Sequence, residues 1–524
     1  MTQVIIPSAG LGSRLGSFTA NINKALIPVG DKPAISYIIN FYPKSYSFII
    51  ALGYKGSYIK EYLKIAHPEK NIKFVDINPF EGNGSGLGYT LKCCKKYIKE
   101  DFFFHTNDAI LFDKIDFKSF CKDTVFLSNH NVNNLKYRTV KIKNNKVTKF
   151  IDKTTKKIPD TFNYTGIAYI KNFKNFNKYL TKISIDLGES DYFINMLKKK
   201  AEVNTLIVKS WYDVGDIDDL NRARKNISDF NNLPKEDEFI FFNKKRVIKF
   251  FINSELSIRR VARSKLLVPF VPNIVKHTKH MYAYNYIEGT LFSKKIDLYK
   301  NLNDFLNNCN KNFWIRKKLN KKQKVDFKKT CLNFYYHKTF DRLNSFYQNH
   351  NVVDNIDTIN NSKSTTLKKL LTKIDWDAIT IGDPARIHGD FHFENILWTP
   401  NNDYQFIDWR QDFGGIIEYG DLYYDLAKLY HGIIVDHGAI RNNMFHINIS
   451  DSKNIIDFEI YRKQTSYECE KIFINFIKKK KLSIYKVKVL TALIFLNIAT
   501  LHHQPYSIFL YYLGKDMLNR VINE

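Results

Sequence analysis

Two groups of residues in this sequence have the types and spacing to handle phosphate. The first follows the apolar run VIIP. Ala9, Gly10 and Gly12 make a turn without bulky side chains, Arg14 stands two residues on, and Lys24 ten residues after that. Such glycines let backbone N–H groups approach phosphate oxygens. The guanidinium fork of Arg14 suits a polyphosphate, and Lys24 adds a compact positive charge. The second group is RIHGDFHFENILW followed by QFIDWRQDFGG. Asp390 and Asn395 have the Asp-x4-Asn spacing of a phosphoryl-transfer loop, and Asp408 stands thirteen residues further on, ending another apolar run. In such a loop the first Asp orients the attacking hydroxyl, while the Asn and the later Asp hold Mg²⁺ on the phosphates of ATP.

These groups need strands and helices to position them. Before residue 230 short apolar runs alternate with amphipathic ones (TQVIIPSAG, PAISYIINFY, SFIIALGY, SYIKEYLKIA), which predicts βαβ units and a mainly parallel sheet. The polar stretch 229–238 reads as a linker between a domain at 1–228 and one at 239–524. FIFFNKKRVIKFFI reads as a hairpin about Asn-Lys-Lys, with Lys249 on its second strand. Residues from about 297 to 371 have a polar helical pattern, and the Asn-rich Asn349–Ser362 within it reads as a loop. The remainder, about 384–524, mixes two short strands with long helices.

The string SAGLGSRLGSFTANINKALIPVGDKPAI resembles the signature of the sugar-phosphate nucleotidyltransferases, and further segments extend the likeness. EGNGSGLGYTL, with Gly84 and Gly86, is similar to the family's base-contacting segment. Asp108 in FFFHTNDAIL and Asp213 in WYDVGDIDDL match its two metal-binding aspartates. Lys153 in FIDK, where Asp152 replaces the usual Glu, and Gly166 in YTGIAYI resemble its sugar-phosphate segments. The resemblance implies a Rossmann-like α/β domain. Arg14 and Lys24 would stabilise departing pyrophosphate, and Mg²⁺ would bind between Asp108 and Asp213.

The second half resembles the aminoglycoside phosphotransferase and choline kinase family through His388-Gly389-Asp390, Asn395, Asp408 and GDLYYDLAKLYHG. That implies a bilobal, protein-kinase-like α+β domain, with an N-lobe at about 239–290 and a C-lobe at about 384–524. Asp390 would be catalytic, Asn395 and Asp408 metal ligands, and Asp425 a support for the loop. Lys249 would contact ATP phosphates, and Tyr286 in YNYIEGTLF would lie at the adenine hinge. No Gly-rich phosphate loop is evident in FNKKRV.

Composition narrows the function classes. The 524 residues carry a net charge of +29 and are 44% hydrophobic, which excludes wholesale disorder. The charge is spread over a chain rich in Lys, Asn, Ile, Phe and Tyr, without a finger, helix-turn-helix or RNP-like motif, so no specific nucleic-acid partner is expected. The densest basic stretch, Trp314–Thr330, reads as a solvated helix face. The run Val489–Leu501 is too short for the ~20 residues of a membrane span. The N-terminus lacks a secretory pattern and six cysteines form no framework, so a cytoplasmic protein with reduced thiols is expected. The two resemblances imply a bifunctional transferase. It would phosphorylate a small hydroxyl compound with ATP, then join that phosphate to a nucleoside monophosphate from a second triphosphate, CTP or UTP first. One reading is an activated sugar for capsule or other surface polysaccharide. A second is a choline- or ethanolamine-type headgroup joined to CDP. A third is a scaffold in which one domain only binds nucleotide.

Overall fold

The computed structural model describes residues 2–130, 133, 135–154, 158–227, 237–295, 298–401, 403–450 and 454–524. Most of the expected linker, 229–238, lies outside them. The chain forms two compact units, Met1–Ser257 with Val275–Asn285, and Ile258–Ile274 with Tyr286–Glu524.

In the first unit the described residues build a nine-stranded sheet. Its order is Asn71–Asp76, Ser47–Leu52, Gln3–Ser8, Phe102–His105, Phe162–Ile170, Thr124–Ser128, Asn204–Val208, Lys146–Ile151, Thr139–Lys143. The first four strands are mutually parallel, giving the Rossmann-like α/β core. Phe162–Ile170 then runs antiparallel to both neighbours. Side chains alternate across the sheet as the period of two requires. Val4 and Ile6 enter one apolar cluster with Ile35, Ile38 and Leu63, while Ile5 enters the other with Leu91, Phe176 and Phe193. Each such side chain fully withdrawn from water contributes about 1.5–3 kcal/mol.

The hairpin Glu238–Asn243 and Arg246–Phe251 turns at Lys244 and Lys245, with Lys244 at φ 57°. It continues through Met281–Asn285 to Ile274–His277 as a second sheet. The sequence reading assigns 239–290 to the C-terminal half, but packing groups the hairpin with the first unit. The physical reason is its apolar face. Phe241, Ile248, Phe250 and Met281 are buried in the same cluster as Ile59 and Tyr62 of the helix Gly56–Ala66. Polar contacts stitch the seam. Asn243 Nδ2 donates to the Ala66 carbonyl at 2.5 Å, Arg246 Nη1 to that of Ile65 at 3.2 Å, and His280 N–H to Glu61 Oε2 at 3.0 Å.

The second unit is largely helical. Leu422–Ile434, Gln464–Lys479, Ile484–Ala499 and Tyr506–Asn523 pack together, beside paired strands Ile396–Trp398 and Tyr404–Phe406. The run Val489–Leu501 lies mostly within the helix Ile484–Ala499, and no helix among the described residues is long and apolar enough to cross a membrane. Between 298 and 350 the helices Leu298–Asn308, Lys321–Leu332 and Lys338–His350 occupy the polar helical stretch expected at about 297–371. The basic stretch is exposed except mainly for Trp314 and Phe327, which are buried. The Asn-rich segment is not simply a loop. Asp357–Ile359 and Ser362–Ser364 pair antiparallel about Asn360 and Asn361, both at positive φ, 45° and 64°. Asn tolerates that conformation, which is the one a two-residue hairpin turn demands.

Candidate active sites

In the first unit, the loop after Gln3–Ser8 is shaped by close approach. Gly12 has φ 72°, and a β-carbon there would lie 3.1 Å from both Lys24 Cβ and Thr19 Cγ2. Asn23, fully buried, ties this loop to the sheet. Its Nδ2 donates to the carbonyls of Ser8 at 3.1 Å and Tyr54 at 2.7 Å, and its Oδ1 accepts the Ala25 N–H at 2.9 Å. Lys24 is thereby aimed across the sheet end, its Nζ 2.7 Å from Asp108 Oδ2. Arg14 sits exposed on the short helical segment Ser13–Thr19.

The two aspartates are joined by strand pairing. Trp211–Asp213 runs antiparallel to Ala109–Leu111 with Asp213 opposite Ala109, and Val214 N–H donates to the Asp108 carbonyl at 2.9 Å. Gly215 marks where the groups converge. A β-carbon there would lie 3.0 Å from Asp213 Oδ1, 3.1 Å from Asp108 Oδ2 and 3.2 Å from Arg14 Nη2. Burial, then the Asp108 carboxylate, lift Asp213 to about 6. Burial would lift Asp108 as well, but Lys24 and Arg14 outweigh it and hold Asp108 below the usual carboxylate range. Two hard oxygen donors about a side-chain-free glycine, with cations for phosphate beside them, fit Mg²⁺.

The other expected residues of this half lie elsewhere. A β-carbon on Gly86 would stand 2.2 Å from the Ile185 carbonyl oxygen, so backbone packing requires that glycine. Gly84, at φ 90°, meets only Pro79 Cγ at 3.5 Å. Gly166, at φ 76°, makes room for Thr106, whose Oγ1 would be 2.7 Å from a β-carbon. Lys153 is exposed. Its neighbour Asp152 pairs with Arg138 at 2.7 Å, and Arg138 also reaches Ser190 Oγ at 2.6 Å and Asp191 at 3.3 Å. Beside them Tyr164 donates its hydroxyl to Glu189 Oε1 at 2.9 Å, and burial raises Glu189 to about 7. Sequence reasoning missed Asn23, Arg138, Glu189 and Gly215. Asn23 stands inside the SAGLGSRLGSFTANINKALIPVGDKPAI string and Gly215 inside WYDVGD, whereas Arg138 and Glu189 lie in no quoted motif.

In the second unit the loop His388–Asn395 is held from below. Asp425, on the helix Leu422–Ile434, accepts the N–H of His388 and of Gly389, each at 2.7 Å, and the indole N–H of Trp314 at 3.1 Å. Burial raises Asp425 to about 6. Arg263, 1% exposed, donates to the carbonyls of Ile387 and Arg410, both at 2.8 Å. His388 is buried against the Ile407 carbonyl at 3.0 Å, and burial lowers it to about 3, so it is neutral and structural. Gly389 has φ 86°, and a β-carbon there would strike Arg410 Cβ at 2.7 Å.

Asp390 sits on this scaffold with Lys428 Nζ 2.9 Å from Oδ1 and His392 Nε2 3.7 Å from Oδ2. Burial would raise its carboxyl, but Lys428 and His392 hold it well below the carboxylate range. Asn395 Nδ2 donates to the Asp390 carbonyl at 2.9 Å and its Oδ2 at 3.3 Å, and Asn395 accepts the Ile407 N–H at 2.9 Å. Asp408 follows directly in the left-handed region, at φ 60°. The structure therefore brings Asp390, Asn395 and the 407–408 segment together. Lys249 belongs to the first unit, 3.6 Å from Glu238, and Tyr286 to the second, half-exposed after Met281–Asn285. The tyrosines after Gly415 are mostly core. Tyr419 and Tyr424 are buried, and Lys317 and Lys486 already stand over the faces of Tyr419 and Tyr423, at 4.5 and 4.4 Å.

Residues 360–449, which hold Asp390, Asn395, Asp408 and Asp425, match the phosphotransferase enzyme family. Over 96 residues the chain is 36% identical to the D-glycero-alpha-D-manno-heptose 1-phosphate guanylyltransferase of Campylobacter jejuni, covering 18% of this chain and 43% of that protein. Over 130 residues it is 28% identical to the glucose-1-phosphate cytidylyltransferase of Salmonella typhimurium, covering 21% and 51%. The solved CTP:phosphocholine cytidylyltransferase of Streptococcus pneumoniae aligns with a TM-score of 0.36 at 23% identity, over 43% of this chain and 98% of that one. The chain spans about half the length of the curated relatives it matches. Its N-terminal region thus matches sugar-phosphate nucleotidyltransferases and its C-terminal region a phosphotransferase family.

Proposed function

We propose that the chain is a bifunctional transferase. The observation that carries the reading is the convergence of Asp108, Asp213 and Arg14 about Gly215 in a chain that also holds an intact Asp390–Asn395 loop. In the C-terminal reaction Asp390, charged and fixed by Lys428, orients the hydroxyl of a small molecule. The hydroxyl oxygen attacks the γ-phosphorus of ATP as its proton passes to the Asp390 carboxylate, the bond to the β-phosphate oxygen breaks, and ADP leaves. Asn395 and Asp408 would hold the metal on the nucleotide, with the segment at Tyr286 serving it. In the N-terminal reaction a phosphate oxygen of that product attacks the α-phosphorus of a second nucleoside triphosphate. Pyrophosphate departs, its charge met by Arg14 and Lys24. Mg²⁺ held by Asp108 and Asp213 would neutralise charge on the phosphates.

The favoured product is a nucleotide-activated sugar for surface polysaccharide. Two matched relatives are named for sugar 1-phosphates, which supports that choice. The amino-alcohol reading is weaker, because lysines of the chain itself already cover Tyr419 and Tyr423, which an aromatic cage would offer.

The test is a screen of ATP with each of CTP, UTP, GTP and dTTP against candidate acceptors, read by mass for the joined product. Asp108→Ala abolishes pyrophosphate release and leaves ADP formation, and Asp390→Ala does the converse. Loss of both activities in either variant overturns the two-site reading, and retained activity in both overturns the residue assignments.

A further inference from the structure

The surroundings of Asp390 are strongly cationic. Lys428 is paired with Asp390, but three more cations of the same unit gather nearby without carboxylate partners among the described residues. Lys338 Nζ and the Arg410 guanidinium both stand over Phe334, at 4.3 and 5.0 Å from its ring centre. Arg410 is fixed in place, its N–H bonded to the His388 carbonyl at 3.0 Å and its Cβ against Gly389, the residue before Asp390. Its Nε is buried without a hydrogen-bond partner among the described residues. Arg342 follows Lys338 by one turn on the helix Lys338–His350, so the two share a face.

Nearby acids are committed elsewhere. Asp412 is paired with Arg259 at 2.7 Å and Glu394 with Arg441 at 3.0 Å. Burial, then Arg410, Lys428 and Arg342, pull Lys338 down to about 7, with Asp390 opposing. Cations held this close with only Asp390 opposing them are costly unless a further anion arrives to meet them. A choline or amino-sugar acceptor would add to the repulsion, whereas an acceptor with its own negative charge would relieve it.

We infer that the acceptor phosphorylated here carries a phosphate or carboxylate besides the reacting hydroxyl, and that Lys338, Arg342 and Arg410 receive that group. The inference rests on the kinase reading above and names its substrate class. Lys338 and Arg342 both lie on the helix Lys338–His350, so that helix supplies acceptor specificity.

The experiment uses the full chain with ATP and Mg²⁺, reading acceptor-dependent ADP release. The panel holds sugar phosphates (glucose 6-phosphate, fructose 6-phosphate), hydroxy acids (glycerate), and their uncharged or cationic counterparts (glucose, glycerol, choline, ethanolamine). Turnover is expected among the anionic members, and the two anionic arms separate phosphate from carboxylate. With the active acceptor, Lys338→Met and Arg342→Met raise acceptor KM at least tenfold and leave the ATP KM within twofold, and Lys338→Arg restores most of the loss. Nucleotidyl transfer, measured as pyrophosphate release, stays at the wild-type level and reports an intact fold. Turnover confined to uncharged or cationic acceptors overturns the inference, as does a rise in ATP KM in place of acceptor KM. A second measurement needs no acceptor. With MgAMP-PNP saturating, inorganic phosphate stabilises wild type more than Lys338→Met, and equal stabilisation overturns the anion site. Absence of ADP release with every member defeats the kinase reading itself, on which the inference stands.

Discussion

Replacing Glu189 by Gln is expected to make the first unit more stable at pH 8 and to remove a pH dependence that wild type has. Glu189 is 4% exposed, accepts the Tyr164 hydroxyl at 2.9 Å, and is raised by burial from 4.5 to about 7. The folded chain thus keeps this proton up to about pH 7, while the unfolded chain releases it near 4.5. Stability from the neutral carboxyl is fully present below pH 4.5 and is lost as pH rises to about 7. At 1.36 kcal/mol per unit, a displacement of about 2.5 units is worth about 3 kcal/mol. Gln never ionises, and its amide oxygen can still accept from Tyr164. Wild type should therefore lose about 3 kcal/mol relative to the variant between pH 4.5 and pH 8. Amide hydrogen exchange, corrected for intrinsic rates, reads this in peptides covering Phe162–Ile170 and Glu189–Lys198 without requiring both units to unfold together. Parallel pH profiles for wild type and Glu189→Gln would refute the buried neutral carboxyl.

Gly215→Ala places a methyl 3.0–3.2 Å from Asp213, Asp108 and Arg14. It should cut pyrophosphate release at least tenfold with little change in melting temperature, and ADP formation should be untouched. Asp425→Asn presents an amide N–H₂ to donors that now meet a carboxylate. Stability of the second unit should fall by about 2–4 kcal/mol in denaturant titration, with ADP formation lowered and pyrophosphate release retained. Chelation of Mg²⁺ by EDTA should stop both reactions, and added Mg²⁺ should restore them.

Local spacing made much of the two sites readable. The Gly10–Gly12–Arg14 turn and the Asp390–Asn395 loop are written in consecutive residues, so type and interval suffice. The pairing of Asp108 with Asp213 is different, because it depends on two strands about a hundred residues apart meeting in register. Only the family likeness linked them. Asn23 was invisible, since one Asn in NINKAL looks like any other in an Asn-rich chain. Its role arises only when Ser8 and Tyr54 turn their carbonyls toward it. Arg263 and Arg138 were hidden likewise, as their partners are distant in sequence. The loop reading of Asn349–Ser362 holds for residues 351–356 and gives way to the strand pair Asp357–Ile359 and Ser362–Ser364, whose turn rests on paired asparagines that tolerate positive φ. The affinity of the 238–251 hairpin for the Gly56–Ala66 helix is a matter of matching apolar faces, which no single segment encodes.

The chain leaves the first unit after Ser257, returns at Val275 and leaves again after Asn285. A gene rearrangement that joined a different C-terminal half at residues 229–238 would carry away Phe241, Ile248 and Phe250 and strip the cover from Tyr62. Neither half can be exchanged as a cassette at its apparent seam. A workable swap must keep 238–257 and 275–285 with the N-terminal partner, so Lys249 would travel with the nucleotidyltransferase-like half.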